Sequence, residues 1–284
     1  MIKNQSLISK HAKSFYWAGF FLSKEKYKKC SILYDFCRTI DDIADDDDEL
    51  EIKKKKLAKF KSDFKNKNFL NHIIKNIYQL LDEDNISYKI IEDLFDGIES
   101  DLKKEVNINT KRDLLIYSYR VAGTVGLMMA KILKVKDHYS LKCAIDLGIA
   151  MQLTNIARDV VEDKKKCRFY ISHDFNSIKA TIDEAETFYD SSFLAIKSIP
   201  MISRFSIIVA RRVYKKIGNK ILKKKNLENY NNAGKIYISN ASKIVETFFS
   251  IYDLVKLFFV KSKKHLKQNE YKIINEEINL NERI

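Results

Sequence analysis

Gln152, Asn155, Asp159 and Asp163 follow one another at spacings of three, four and four. In a helix they fall within an arc of about 80° and form one polar stripe. The run leading in, Ala144 to Met151, is apolar nearly all round, the pattern of a helix buried inside a large protein. The stripe is therefore expected to face an interior cavity. Tyr34, Arg38, Asp41 and Asp45 repeat the construction at spacings of four, three and four, with Asp42 at the edge. Carboxylates about 6 Å apart repel by roughly 3 kcal/mol at an effective dielectric near 20, so buried acidic stripes need cations. Carboxylate and amide oxygens without neighbouring His or Cys suit Mg²⁺, with Mn²⁺ as the alternative, bridging protein carboxylates to substrate phosphates. Two such helices facing each other would make a metal-diphosphate site.

Ser9 to Leu22 reads as a first helix, and its Trp17 as a core residue. Ser23 can cap a second helix, Lys24 to Asp45, whose acidic end opposes the helix dipole and so points to a functional demand. Leu50 to Phe64, Leu70 to Leu81 and Tyr88 to Lys104 read as amphipathic helices with nothing catalytic in them. Asn109 or Thr110 caps a long helix to about Leu133. Gly123 and Gly126 inside it cost about 1 kcal/mol each relative to Ala, which implies close backbone approach. Gly126 with Val121 and Val125 would make a small-residue pocket wall. Lys164 to Tyr170 reads as a loop, and helices at about Lys179 to Lys197, Ile202 to Lys224 and Ala233 to Lys264 complete the chain.

With one Pro, 7 Gly and 45% hydrophobic residues among 284, helix breakers are scarce and an all-α fold is expected. No repeat or linker divides the chain, so one domain is expected over residues 1–268, with a mobile tail at 269–284. The formal net charge of +14 comes largely from Lys runs, read first as solvated faces and second as attraction to anionic lipid or phosphorylated substrates. Without a nucleic-acid motif, no nucleic-acid partner is expected. The four cysteines lack a CxxC pair, which favours free thiols. No signal-peptide core or transmembrane stretch is evident, so a cytoplasmic protein is expected. The last helix is rich in Phe and Tyr with Lys256, Lys261, Lys263 and Lys264 around it. A core helix is its plain reading; contact with the inner membrane face is the sharper one.

Four ordered motifs then resemble the phytoene and squalene synthase family, the head-to-head prenyl synthases, over about Lys10 to Lys243. They are His11 to Phe15, Tyr34 to Asp45, Tyr117 to Gly126 and Gln152 to Asp163. The resemblance implies an isoprenoid synthase fold, a helical bundle around a central cavity, and condensation of two prenyl diphosphates through a cyclopropyl diphosphate. It implies Mg²⁺ held by Asp41, Asp42, Asp45, Asn155, Asp159 and Asp163. His11, Lys13, Arg38, Arg158 and Arg168 would meet phosphate oxygens, and Ser14 and Phe15 belong to the same first motif. Gln152, Val121 and Gly126 would line the site, with Tyr34, Tyr117 and Tyr214 along the cavity, placed to hydrogen-bond a leaving diphosphate. Lys235 stands where relatives commonly carry Arg, and Ser172 where they carry Pro.

Within the family, Thr154 to Asp159 and Ala122 to Met129 look most like bacterial phytoene synthases. That likeness implies two geranylgeranyl diphosphates joined to phytoene, the first step of carotenoid biosynthesis, with no NADPH. A presqualene, squalene or diapophytoene synthase using farnesyl diphosphate is the alternative. A head-to-tail synthase would carry a second DDxxD in place of Asn155, Asp159 and Asp163. A basic adaptor for membranes or nucleic acid would explain the charge but not two acidic stripes.

Overall fold

The computed structural model describes residues 13–259 and 265–284. The caps read from the sequence form. Helix α1 spans Lys13–Gly19 and α2 spans Lys24–Asp45, where Ser23 Oγ accepts the Lys26 N–H at 3.3 Å and satisfies a first-turn donor. Along α2, Cys30, Leu33, Phe36, Ile40 and Ala44 are buried at helical spacing. They pack on α3 (Leu50–Lys65), α4 (His72–Glu83) and α5 (Tyr88–Ser100). Phe36 anchors this half, its ring 5.9–6.1 Å from those of Phe60, Phe64 and Phe95.

Thr110, whose Oγ1 accepts the Asp113 N–H at 3.0 Å, caps α6 (Lys111–Ser118). The continuous helix expected from here to Leu133 is interrupted by a π turn, Tyr119–Gly123, before α7 (Thr124–Ile132). The wider turn holds Tyr119 fully buried, with its hydroxyl donating to Asp93 Oδ2 at 3.0 Å. Such turns are frequent at functional sites, and Val121 and Ala122 of this one line the central cavity.

The central element is α8 (His138–Lys165), capped by Asp137 and packed against α7, α9 (Phe175–Phe193) and α10 (Met201–Leu222). A Cβ on Gly126 would stand 2.3 Å from the Ala144 carbonyl oxygen, and one on Gly148 would stand 2.2 Å from that of Ala122. Only glycine permits this backbone-to-backbone contact between α7 and α8.

Three further features differ from the sequence reading. Within the stretch read as a loop, Arg168–Phe169 forms β2, paired in parallel with β1 (Val106–Asn107), Val106 opposite Arg168. Cys167 turns the chain into this bridge with a φ of 54°. The segment from 233 is not helical throughout: α11 (Leu227–Asn232) ends before it and α12 begins only at Asn240, running to Phe259. The stretch read as a mobile tail is packed. It forms α13 (Gln268–Asn275), buries Tyr271, Ile274, Ile278 and Leu280, and ends with Arg283 donating to both oxygens of Asp93 at 3.0 Å. Its apolar spacing is too short for periodicity to reveal.

The four cysteines are free thiols. Among the described residues, no helix is long and apolar enough to cross a membrane.

Candidate active site

The two acidic stripes meet. A polar pocket of about 220 Å³ lies between α2 and α8, lined by Arg38, Asp41, Asp45, Asn155, Asp159 and Asp163. It shares Asp41, Val121, Gln152 and Asn155 with an apolar cavity of about 300 Å³. Phe15, Tyr34, Gly126, Met129, Leu147 and Tyr214 are among the walls of that cavity. A charged group at the joint would therefore face carboxylates and cations on one side and hydrocarbon on the other.

The bridge β1–β2 delivers Arg168 to the end of α2. Its NH1 donates to Asp45 Oδ1 at 2.7 Å and its NH2 to the Ala44 carbonyl at 3.2 Å, relieving an acidic helix end that carries no basic residue of its own. Burial works against the Asp45 charge, but Arg168 and Lys166 outweigh it and hold its carboxyl below the usual carboxylate range. On α8, Arg158 donates bidentately to Asp159 at 2.8 and 2.6 Å. Tyr230 of α11 accounts for the backbone there, its hydroxyl donating to the Arg158 carbonyl at 2.8 Å.

Other charges in the pocket lack such relief. Burial pushes Asp41 up to about 7; Arg38 pulls the other way, while Asp45 and Asp101 add to the push. Asp163 rises to about 7 through burial and then Asp159, with Arg168 opposing. Asn155 Oδ1 and Arg38 Nε are buried without a hydrogen-bond partner. An oxygen-only donor set with an orphaned amide oxygen, and two carboxyls whose charge is disfavoured by burial and by neighbouring carboxylates, fits a hard divalent ion.

The sequence reading missed Asp101 and Tyr170. Asp101 follows α5, read as having nothing catalytic, yet it lines the pocket and accepts the hydroxyls of Tyr117 at 2.8 Å and Tyr170 at 2.7 Å. The two tyrosine rings stack at 4.8 Å. Burial raises the Asp101 carboxyl against Arg168 and both hydroxyls. One signal was available: Glu99 and Asp101 at a helix C-terminus oppose the dipole as Asp45 does.

The remaining candidates divide. Asp42 does not line the pocket and pairs with Arg38. Lys235 lies at the rim, bonded to Glu162 and 3.5 Å from Asp159 Oδ1. Ser14 lines neither pocket nor cavity. His11 lies outside the described residues, as does the side chain of Lys13. Behind the cavity, Cys143, Asp146 and His265 place ligand-type atoms within 4.8 Å of one another. Ser191 and His265 hydrogen-bond Asp146 at 2.6 and 2.8 Å, a buried polar network.

A family model described as squalene/phytoene synthase matches residues 8–178, which include both stripes. The chain belongs to that family. Among squalene/phytoene synthase relatives, the 15-cis-phytoene synthase of Enterobacter agglomerans is 30% identical, over 74% of this chain and 82% of that protein. The 15-cis-phytoene synthase of Pantoea ananas is 28% identical, over 74% and 78%. The crystal structure of a dehydrosqualene synthase in complex with ligand superposes with a TM-score of 0.71 at 25% identity, covering 88% of this chain and 95% of that one. A squalene synthase from Alicyclobacillus acidocaldarius shares the fold at a TM-score of 0.67 and 16% identity, over 79% and 92%. The fold is thus the all-α isoprenoid synthase bundle, and the chain is a prenyltransferase-type enzyme whose family acts on prenyl diphosphates.

Proposed function

We propose that the protein joins two geranylgeranyl diphosphates head to head, through a cyclopropyl diphosphate, to phytoene, losing both diphosphates and a proton and needing no NADPH. The carrying observation is the joint at Asp41, Val121, Gln152 and Asn155, residues that line both the carboxylate-bearing pocket and the apolar cavity. The bacterial phytoene synthase relatives support the choice of substrate.

Asp41 and Asp45 from α2, with Asn155, Asp159 and Asp163 from α8, would hold Mg²⁺. When bound, Mg²⁺ would neutralise diphosphate charge and favour its departure from the allylic carbon. Arg38, with its unpartnered buried Nε, and the forks of Arg158 and Arg168 offer donors to phosphate oxygens. To do so, Arg158 gives up part of its hold on Asp159, which frees that carboxylate for the cation. Tyr117 has a different role from the one the resemblance implied: its hydroxyl is committed to Asp101, so it positions the pocket wall rather than the leaving group. Burial pushes the Tyr34 hydroxyl up to about 12, so at neutral pH it remains a donor on the cavity wall. The apolar cavity excludes water from the cationic carbon skeleton.

A substrate panel tests the proposal. Purified protein with Mg²⁺ and geranylgeranyl diphosphate, without reductant, is expected to release pyrophosphate and form phytoene. Product from farnesyl diphosphate alone would replace the substrate by the shorter one, a reading that the dehydrosqualene synthase structure supports. Inactivity with every prenyl diphosphate would overturn the proposal.

A further inference from the structure

Helix α12 is inside out. Its buried residues are Lys243, Glu246, Ser250, Asp253 and Leu257, a helical stripe that is almost entirely polar. Glu246 and Asp253 turn inward to Arg212 of α10, at 3.0 and 2.7 Å, and Glu246 also meets Lys216 at 2.9 Å. The opposite face exposes Phe248, Phe249, Ile251, Tyr252, Phe258 and Phe259; Phe248 and Tyr252 are 68% exposed and Phe259 83%. A water-facing helix normally presents the reverse pattern, and monomeric proteins rarely expose so large an apolar patch without a partner.

The patch extends beyond α12. Trp17 of α1 donates its Nε1–H to Thr247 at 3.0 Å and carries the exposed Phe20 beside it. Lower-numbered residues of α10 meet higher-numbered residues of α12, which brings the exposed Met201 and Ile202 toward the Phe259 end. The connection before α10 contributes Ile196 and Ile199 to the cavity wall and touches α12. The apolar surface thus borders an element that walls the cavity.

We infer that this face docks on an anionic phospholipid bilayer, with the Phe248, Tyr252 and Phe259 side chains inserted among the acyl chains. Charge selects the partner. The acids of α12 are turned inward, the one charged residue on its described outward face is Lys256, and the chain carries a net +14. A second copy would bring the same positive charge to the contact and be repelled, whereas acidic headgroups attract it. The inference rests in part on the proposed function, since a hydrocarbon product leaving the cavity needs an apolar medium, but its test does not depend on that reading.

The experiment is flotation of the full chain, without prenyl substrate, on phosphatidylcholine vesicles with and without phosphatidylglycerol. The wild type is expected to float with the mixed vesicles and far less with phosphatidylcholine alone. The combined substitution Phe248→Ser, Tyr252→Ser, Phe259→Ser should lower partitioning by on the order of tenfold or more, with an unchanged melting temperature and unchanged pyrophosphate release in detergent. A single Phe248→Trp variant should be quenched by brominated lipid, which checks insertion independently of the triple variant. Absence of flotation by folded monomer, flotation indifferent to the triple substitution, or a dimer in solution that the substitution splits would each overturn the inference. Inactivity toward all prenyl diphosphates combined with normal flotation would overturn the proposed function and leave the docking face standing.

Discussion

Arg168 reaches across 123 positions of sequence to donate to Asp45 Oδ1 at 2.7 Å, and its second amino group binds the carbonyl of Ala44. One side chain thus secures the acidic end of α2 beside α8. Replacing it with Gln should reduce prenyl transfer by about 10²-fold or more. Arg168→Lys should recover only part of the loss, because an ammonium cannot serve Asp45, the Ala44 carbonyl and a phosphate with one fork. Pyrophosphate release measures both. Asp45 also contributes stability that is present above the ordinary carboxylate range and is lost as pH falls below it; Arg168→Gln should weaken that acid limb in thermal melts.

Asp41 and Asp163 carry the opposite sign. Both are raised to about 7, so the metal-free protein binds more protons than the unfolded chain between about pH 4 and 7. Their contribution falls as pH rises through that window and is least favourable above 7. Mg²⁺ must displace those protons. Its thermal shift is therefore expected to be larger at pH 8 than at pH 6, read by melting with and without EDTA. An equal shift at both pH values would contradict the shared buried site.

Asp41→Asn and Asp159→Asn should each abolish turnover while keeping the fold. Without metal, Asp41→Asn should melt no lower than wild type at pH 8, since it removes an uncompensated buried charge. Asp42→Asn should be the mildest of the three, because Asp42 faces Arg38 rather than the pocket. Pyrophosphate assays with parallel melts separate these outcomes.

Gly126→Ala should cost about 2 kcal/mol or more through overpacking and lower the melting temperature by several degrees. The added methyl would meet the rigid carbonyl oxygen of Ala144 at 2.3 Å, and the displaced α7 would also disturb the cavity wall.

Much of this site was legible in advance because its signal is local. Helical spacing alone puts Gln152, Asn155, Asp159 and Asp163 on one face, and the unfavourable charge at the end of α2 marks Asp45 as a residue with a task. Gly126 inside a helix signals close backbone approach from its type alone, and the structure supplies the neighbour, the carbonyl of Ala144. What was not legible depends on contacts distant in sequence. Asp101 becomes a pocket residue only because Tyr117 and Tyr170 converge on it, and Arg168 is aimed by a two-residue bridge too short for any periodicity. The π turn carries Tyr119, whose hydroxyl bonds Asp93, a carboxylate that Arg283 also meets from far along the chain. The aromatic face of α12 was visible as an apolar stripe, but only its partners Arg212 and Lys216 reveal that the polar side is the buried one.

The most direct measurement is anomalous diffraction from crystals soaked with Mn²⁺ and inorganic pyrophosphate. Manganese peaks are expected in the pocket bounded by Asp41 and Asp45 on α2 and by Asn155, Asp159 and Asp163 on α8, with pyrophosphate against Arg38 and Arg168. Manganese held instead at the exposed run from Asp46 to Glu49, or an empty pocket at saturating ion, would contradict a metal-diphosphate site between the two acidic helices.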